Sequence, residues 1–163
     1  LSENPQLRRL FADLSGELYV VAYGHYRLTA RFEWTWSSKP LLSGPLIMDT
    51  VACGFLAIDE NNDICAVKYD EDWSECIVSY YNGNKNVGNP EQEILVRDIN
   101  GHVESQFRMS GGDVIEPGWA KEGSFEVSIT EVVTAKEMEW AKFVFVYGHT
   151  TLEVTPSIDI SIS

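Results

Sequence analysis

Positive charge is what this sequence has least of. Its 163 residues hold 12 Lys and Arg against 25 Asp and Glu, a formal net charge of −13. A nucleic-acid interface needs a basic face to meet phosphates, so that class of partner is excluded. Simple electrostatic attraction to an anionic membrane is excluded for the same reason. Long apolar runs are also missing, so no transmembrane helix is expected. No basic segment leads into an apolar one, so no signal peptide is visible and the compartment stays undefined, secreted or cytosolic. Cysteine is scarce and odd in number: Cys53, Cys65 and Cys76. If 51–58 and 64–69 form a hairpin, Cys65 falls opposite about Ala57. Cys53 is then about 13 Å away at about 3.3 Å per residue, too far for a disulfide. Free, mostly buried thiols are expected, and a Cys53–Cys76 bridge across strands stays open.

What is present is apolar and aromatic. Hydrophobic residues make up 44% of the chain and aromatics 12%. That is too hydrophobic for disorder, and the length suits one domain with a real core. Near the N-terminus, Asn4-Pro5 reads as a helix cap and first helical residue. Leu7, Leu10, Phe11 and Leu14 follow at i, i+3, i+4, i+7, and Gly16 reads as a stop. The spacing predicts a short amphipathic helix within residues 1–16, packed on a domain of residues 17–163. Arg8 and Arg9 make a basic spot on it.

After Gly16 the period becomes two. Tyr26, Leu28, Ala30, Phe32, Trp34 and Trp36 share one face of a long strand, and Arg27, Thr29, Arg31, Glu33 and Thr35 share the other. Further strands are predicted at 17–23, 46–49, 51–58, 64–69, 75–81, 92–99, 102–109, 113–116, 124–133, 141–147, 150–155 and 157–162. Asn100-Gly101 reads as a type I′ turn, and Gly24-His25 and Gly148-His149 as type II′ turns. The pattern predicts an all-β fold: a single-domain antiparallel β-sandwich of about 10–13 short strands with an N-terminal helix. Residues 18–30 and 142–154 echo each other around these two Gly-His pairs, one hairpin solution used twice.

Three constellations could carry chemistry. Asp59, Asn61 and Asp63 occupy positions 1, 3 and 5 of a calcium-loop pattern, but Ile64 stands where the loop needs glycine. An acidic β-turn is the reading preferred, with calcium left as an option and no other cofactor expected. All three histidines, His25, His102 and His149, follow a glycine, so each is expected exposed at a turn, with nothing to gather them on a zinc ion. Glu33, Glu126 and Glu131 could supply a carboxylate pair for glycoside hydrolysis. With so many acids such pairs arise by chance, and the reading leans away from an enzyme.

Aromatics in or beside turns are more informative. Trp73, Tyr80, Tyr81 and Trp119 are candidates for stacking on a ligand, with Asn82 and Asn84 of the Asn-rich stretch 82–91 supplying hydrogen bonds. The segment GPLIMDTVACGFLAIDENNDICAVKYDEDWSECIVSYYNGN, residues 44–84, together with the preceding helix, resembles the central part of the actinoporin-like cytolysins and the fungal fruit-body lectins. That resemblance implies recognition of a lipid headgroup or glycan through Tyr69, Trp73, Tyr80 and Tyr81. The expected function is a non-enzymatic binding module for a glycan or lipid headgroup, able to touch a membrane surface without spanning it. The alternative is a structural or self-assembling homo-oligomer, in which Ile158, Ile160 and Ile162 of the C-terminal stretch add a strand to a neighbouring sheet.

Overall fold

The structure, a computed structural model, describes residues 6–11, 14–22, 27–40, 47–81, 91–99, 101–110, 118–132, 137–149 and 152–161. Thirteen strands are found there: β1 (Gln6–Phe11), β2 (Leu14–Ala22), β3 (Arg27–Trp36), β4 (Met48–Ile58), β5 (Val67–Tyr69), β6 (Glu75–Tyr81), β7 (Glu91–Ile94), β8 (Arg97–Ile99), β9 (His102–Arg108), β10 (Trp119–Glu131), β11 (Trp140–His149), β12 (Leu152–Val154) and β13 (Ser157–Ser161). They form two antiparallel sheets packed as a β-sandwich. One runs β1-β2-β3-β10-β6-β7, with β5 also on β10. The other runs β12-β11-β4-β9-β8, with β13 also on β11. Among the described residues no helix is long and apolar enough to cross a membrane.

Alternation builds the core. Leu28, Ala30, Phe32, Trp34 and Trp36 of β3 are buried, while Arg27 ahead of them and Thr35 among them are exposed; Thr29 is buried against Ser128. From the facing sheet come Phe107, Phe143, Phe145 and Tyr147, all buried. Rings from the two sheets interlock: Trp34 lies 5.9 Å from Phe107 and 5.4 Å from Tyr147, and Phe145 lies 5.7 Å from Phe32. Such pairs add about 0.5–1.5 kcal/mol each beyond the area they bury. Ala120 N–H donates to the Met109 carbonyl at 2.7 Å, tying the end of β9 to the start of β10 and so one sheet to the other.

The predicted N-terminal helix is corrected: residues 6–11 are a strand, in register with β2 from Gln6↔Leu18 to Phe11↔Leu14. A helix of about ten residues is marginal on its own, whereas the edge of β2 offers these backbone groups a ladder. Gly16, read as a helix stop, lies inside β2 between Arg8 and Trp34. The strands read as 46–49 and 51–58 are one strand, β4, over the described residues, and 92–99 divides between the two sheets as β7 and β8. The predicted strand 113–116, Tyr26 and the Gly24-His25 turn lie outside the described residues.

The hairpin at Asn100-Gly101 is as expected: Ile99 pairs with His102 around it, and Gly101 has φ 109°. Gly148-His149 is not a turn. Both residues are in β11, and His149 pairs with Leu152, so the connection falls two residues later than expected, between them. The C-terminal strand β13 pairs with β11 of its own chain, and Ile158 and Ile160 are buried there. Cys53, Cys65 and Cys76 are buried and form no disulfide, and Cys65 N–H bonds the Ala57 carbonyl at 2.9 Å, the register expected for that hairpin.

Candidate functional site

Among the described residues, Trp73 is the aromatic most open to solvent. Asp70-Glu71-Asp72 is a sequence that caps itself: the Asp70 carboxylate accepts the Asp72 backbone N–H at 3.2 Å, and one 3-10 turn follows over Glu71–Trp73. Ser128 of β10 fixes this turn to the sheet. Its hydroxyl donates to the Trp73 carbonyl at 2.7 Å, and its N–H donates to Ser74 Oγ at 2.8 Å. Ser74 Oγ in turn donates to the Asp70 carbonyl at 2.7 Å. The backbone under Trp73 is thus held from both sides, while its side chain leaves the residue 57% exposed. One ring face is covered by the Arg27 guanidinium, 4.5 Å from the centroid, and Arg27 is held by Asp70 at 3.4 Å.

Beside this turn runs an open groove of about 710 Å³, lined by Arg27, Lys68, Tyr69, Asp70, Glu71, Asp72, Val96, Asp98, Thr130 and Glu131. A shallower groove of about 380 Å³ continues from Tyr69 and Glu71 toward Ile94 and Leu95. Tyr69 borders both and is half-buried. Burial lifts its hydroxyl above the ordinary value of 10.0, against a lowering by Ser74, so it is a neutral phenol that can donate and accept. Carboxylates dominate the walls, with Lys68 and Arg27 as the cations.

Tyr69 lines both grooves and Trp73 stands on the turn whose Glu71 also lines them. Three other candidates are placed differently from expectation. Tyr80, Tyr81 and Trp119 are buried, not turn residues open to a ligand. Tyr80 donates to the Arg108 carbonyl at 2.8 Å, and burial pushes its hydroxyl up to about 12. Tyr81 donates to Glu122 and lies 4.9 Å under the Lys121 ammonium, with burial and then Glu122 pushing its hydroxyl up to about 12. Asn82 and Asn84 lie outside the described residues.

The other constellations resolve into structure. Asp59 accepts the N–H groups of Asn61 at 2.8 Å and Asp63 at 3.0 Å, so its carboxylate closes its own acidic turn. Among the described residues no group of three or more His, Cys, Asp and Glu side chains is gathered as for a metal ion. Arg31 stands between the two glutamates proposed as a hydrolytic pair, 3.1 Å from Glu33 and 3.3 Å from Glu126. Desolvation raises Glu126, and Arg31 lowers it in part.

One cluster escaped the sequence reading. His149, expected exposed, is buried, and its Nδ1 is 2.6 Å from Asp49 Oδ1. Asp49 Oδ2 accepts the Tyr147 hydroxyl, and Trp36 Nε1 donates to that same hydroxyl at 3.3 Å. The signal that could have found it is a lone Asp inside the apolar run Pro45–Phe55.

No family model matches the chain, and no curated protein matches it. Solved structures do. The N-terminal domain of the Streptococcus gordonii adhesin Sgo0707 superposes with a TM-score of 0.56 at 9% identity, over 95% of this chain and 33% of that one. This chain thus spans about one third of the adhesin chain it matches. Weaker likenesses include the collagen-binding subdomain of the Enterococcus faecalis surface protein ACE, with a TM-score of 0.41 at 6% identity over 87% of this chain and 91% of that one. Another is the GAE domain of GGA2p from Saccharomyces cerevisiae, with a TM-score of 0.30 at 9% identity over 98% and 97%. At such identities the likeness to the adhesin domain speaks for the β-sandwich alone.

Proposed function

We propose that the chain is a non-enzymatic binding module that takes an uncharged glycan in the groove beside Trp73. The observation that carries this reading is an exposed tryptophan fixed on a capped turn whose Asp70, Glu71 and Asp72 line a groove of about 710 Å³. A rigid indole offers a flat apolar face to a sugar ring, and carboxylates beside it accept hydroxyl protons. Glu71, Asp72, Asp98 and Glu131 along the groove disfavour an anionic lipid headgroup, which tips the choice between glycan and lipid. The adhesin domain with the same fold is in keeping with a binding role and does not name a ligand.

A glycan array followed by calorimetry on the best uncharged oligosaccharide tests the reading. Trp73→Ala is expected to weaken binding at least about tenfold, roughly 1.4 kcal/mol. Its melting temperature should stay close to that of the unaltered chain, because the side chain is mostly in solvent. An array without binding, or undiminished affinity in Trp73→Ala, would remove the reading. Binding to vesicles without sugar headgroups would transfer it to lipid.

A further inference from the structure

The outer face of the sheet built on β4 and β11 differs from the rest of the surface. At its centre, Ala52 and Gly54 of β4 lie directly beside Val146 and Val144 of β11. A Cβ built on Gly54 or on Gly148 would meet no atom within 4 Å, so the centre is flat and open. Toward the two ends of β4 the face carries Met48 and Leu56, 44% and 41% exposed. Contiguous apolar surface of this kind marks an interaction site more often than chance.

Its charges balance, in a chain whose net charge is −13. Arg97, Arg108 and Lys142 stand there against Glu104, Glu153 and Asp159. They are unevenly spread. Glu153 and Asp159 lie on the β12–β13 margin with Lys142 beside Asp159, and Arg97 and Arg108 lie on the β8–β9 margin with Glu104 paired to Arg97 at 3.7 Å, so each margin keeps one net charge and the two are of opposite sign.

We propose that this face pairs two copies of the chain, sheet against sheet. A two-fold axis parallel to the strands lays the acidic margin of one copy over the basic margin of its partner, and repeats the match on the other side. The small residues at the centre let the two sheets approach to about 10 Å. The face is about 34 Å long and about 19 Å across from strand rise and spacing. That gives a footprint of roughly 650 Å² per copy, within the lower range of specific interfaces. With a net charge of −13 the chain repels its own kind, and among the described residues this face, with equal numbers of both signs, meets little of that opposition.

Sedimentation equilibrium of the whole chain from about 1 to 100 μM is expected to show a mass approaching twice that of one chain. Gly54→Arg has open space for its side chain, so circular dichroism and the melting temperature should be unchanged. Its dissociation constant should rise at least about tenfold. Arg108→Glu should also weaken the dimer, and adding Glu153→Arg should restore it. A monomer throughout the range would overturn the proposal and leave the face to a different partner. A dimer indifferent to Gly54→Arg, or a charge reversal without recovery, would overturn it as well.

Discussion

Asp49→Ala is expected to lower the unfolding free energy by about 4 kcal/mol. The Asp49 carboxylate is fully buried. It accepts the Tyr147 hydroxyl on one oxygen and holds His149 Nδ1 at 2.6 Å on the other. Alanine leaves a phenol and an imidazole without their partner inside the sandwich. Each orphaned buried group costs about 1–3 kcal/mol, and two are orphaned here. Asp49→Asn keeps the shape and can still accept from Tyr147, so its loss should be about half as large. Urea unfolding of the three proteins measures both differences.

The same pair gives a pH signature. Burial lifts the Asp49 carboxyl above its ordinary value of 3.8, while hydrogen bonds from Tyr147 and His149 and the charge of His149 draw it back in part. A carboxyl raised in the folded state holds its proton more tightly there than in the unfolded chain. Its contribution is therefore most favourable below 3.8 and is withdrawn as pH rises from 3.8 through the raised folded value. The stability of the unaltered protein relative to Asp49→Asn should fall across that window. A difference that stays flat, or rises with pH, would contradict the raised carboxyl.

The strands were largely legible because a half-buried sheet writes its period into the chain. Leu28 to Trp36 alternates without a break, and Gly101 marks its hairpin by the positive φ it must adopt. Residues 6–11 misled because Leu7, Leu10, Phe11 and Leu14 do carry a helical spacing. Only the edge of β2, a tertiary fact, makes a strand the better use of that backbone. Gly148 misled differently. Glycine before histidine suits a turn, yet here it is a strand position on an open face, and the turn falls two residues later. With His149 inside the strand, the alternation of β11 sends it inward to Asp49 instead of outward to water.

The site was half legible. The acidic triplet before Trp73 is a local cap, and local chemistry is readable in sequence. The burial of Tyr80, Tyr81 and Trp119 is not local. It depends on β6 running to Tyr81 against β10, whose register shifts between Ala120 and Glu122. No neighbouring residue announces such a bulge.

Gly123→Ala is expected to cost about 3 kcal/mol, although it adds one methyl group to a strand. Gly123 pairs with Trp34 on one side and Val78 on the other, in the middle of β10. A Cβ there would sit 2.3 Å from Trp34 Cζ2, 2.9 Å from Trp34 Cε2 and 2.7 Å from the Ile77 carbonyl oxygen. The indole crosses the space a side chain would need, and its own position is set by packing against Phe107 and Tyr147. Relief must therefore come from moving a core aromatic, from bending the β6 backbone, or from both. Gly54→Ala is the matched control: its Cβ meets no atom within 4 Å, so it should be neutral, or stabilising through the lower entropy of the unfolded chain. Adding Trp34→Phe to Gly123→Ala should recover part of the loss relative to Trp34→Phe alone, because the ring clash is relieved while the contact with the Ile77 carbonyl remains. Chemical denaturation of the four combinations gives the coupling between the two positions directly. Simple additivity would mean that the indole does not occupy the space above Gly123.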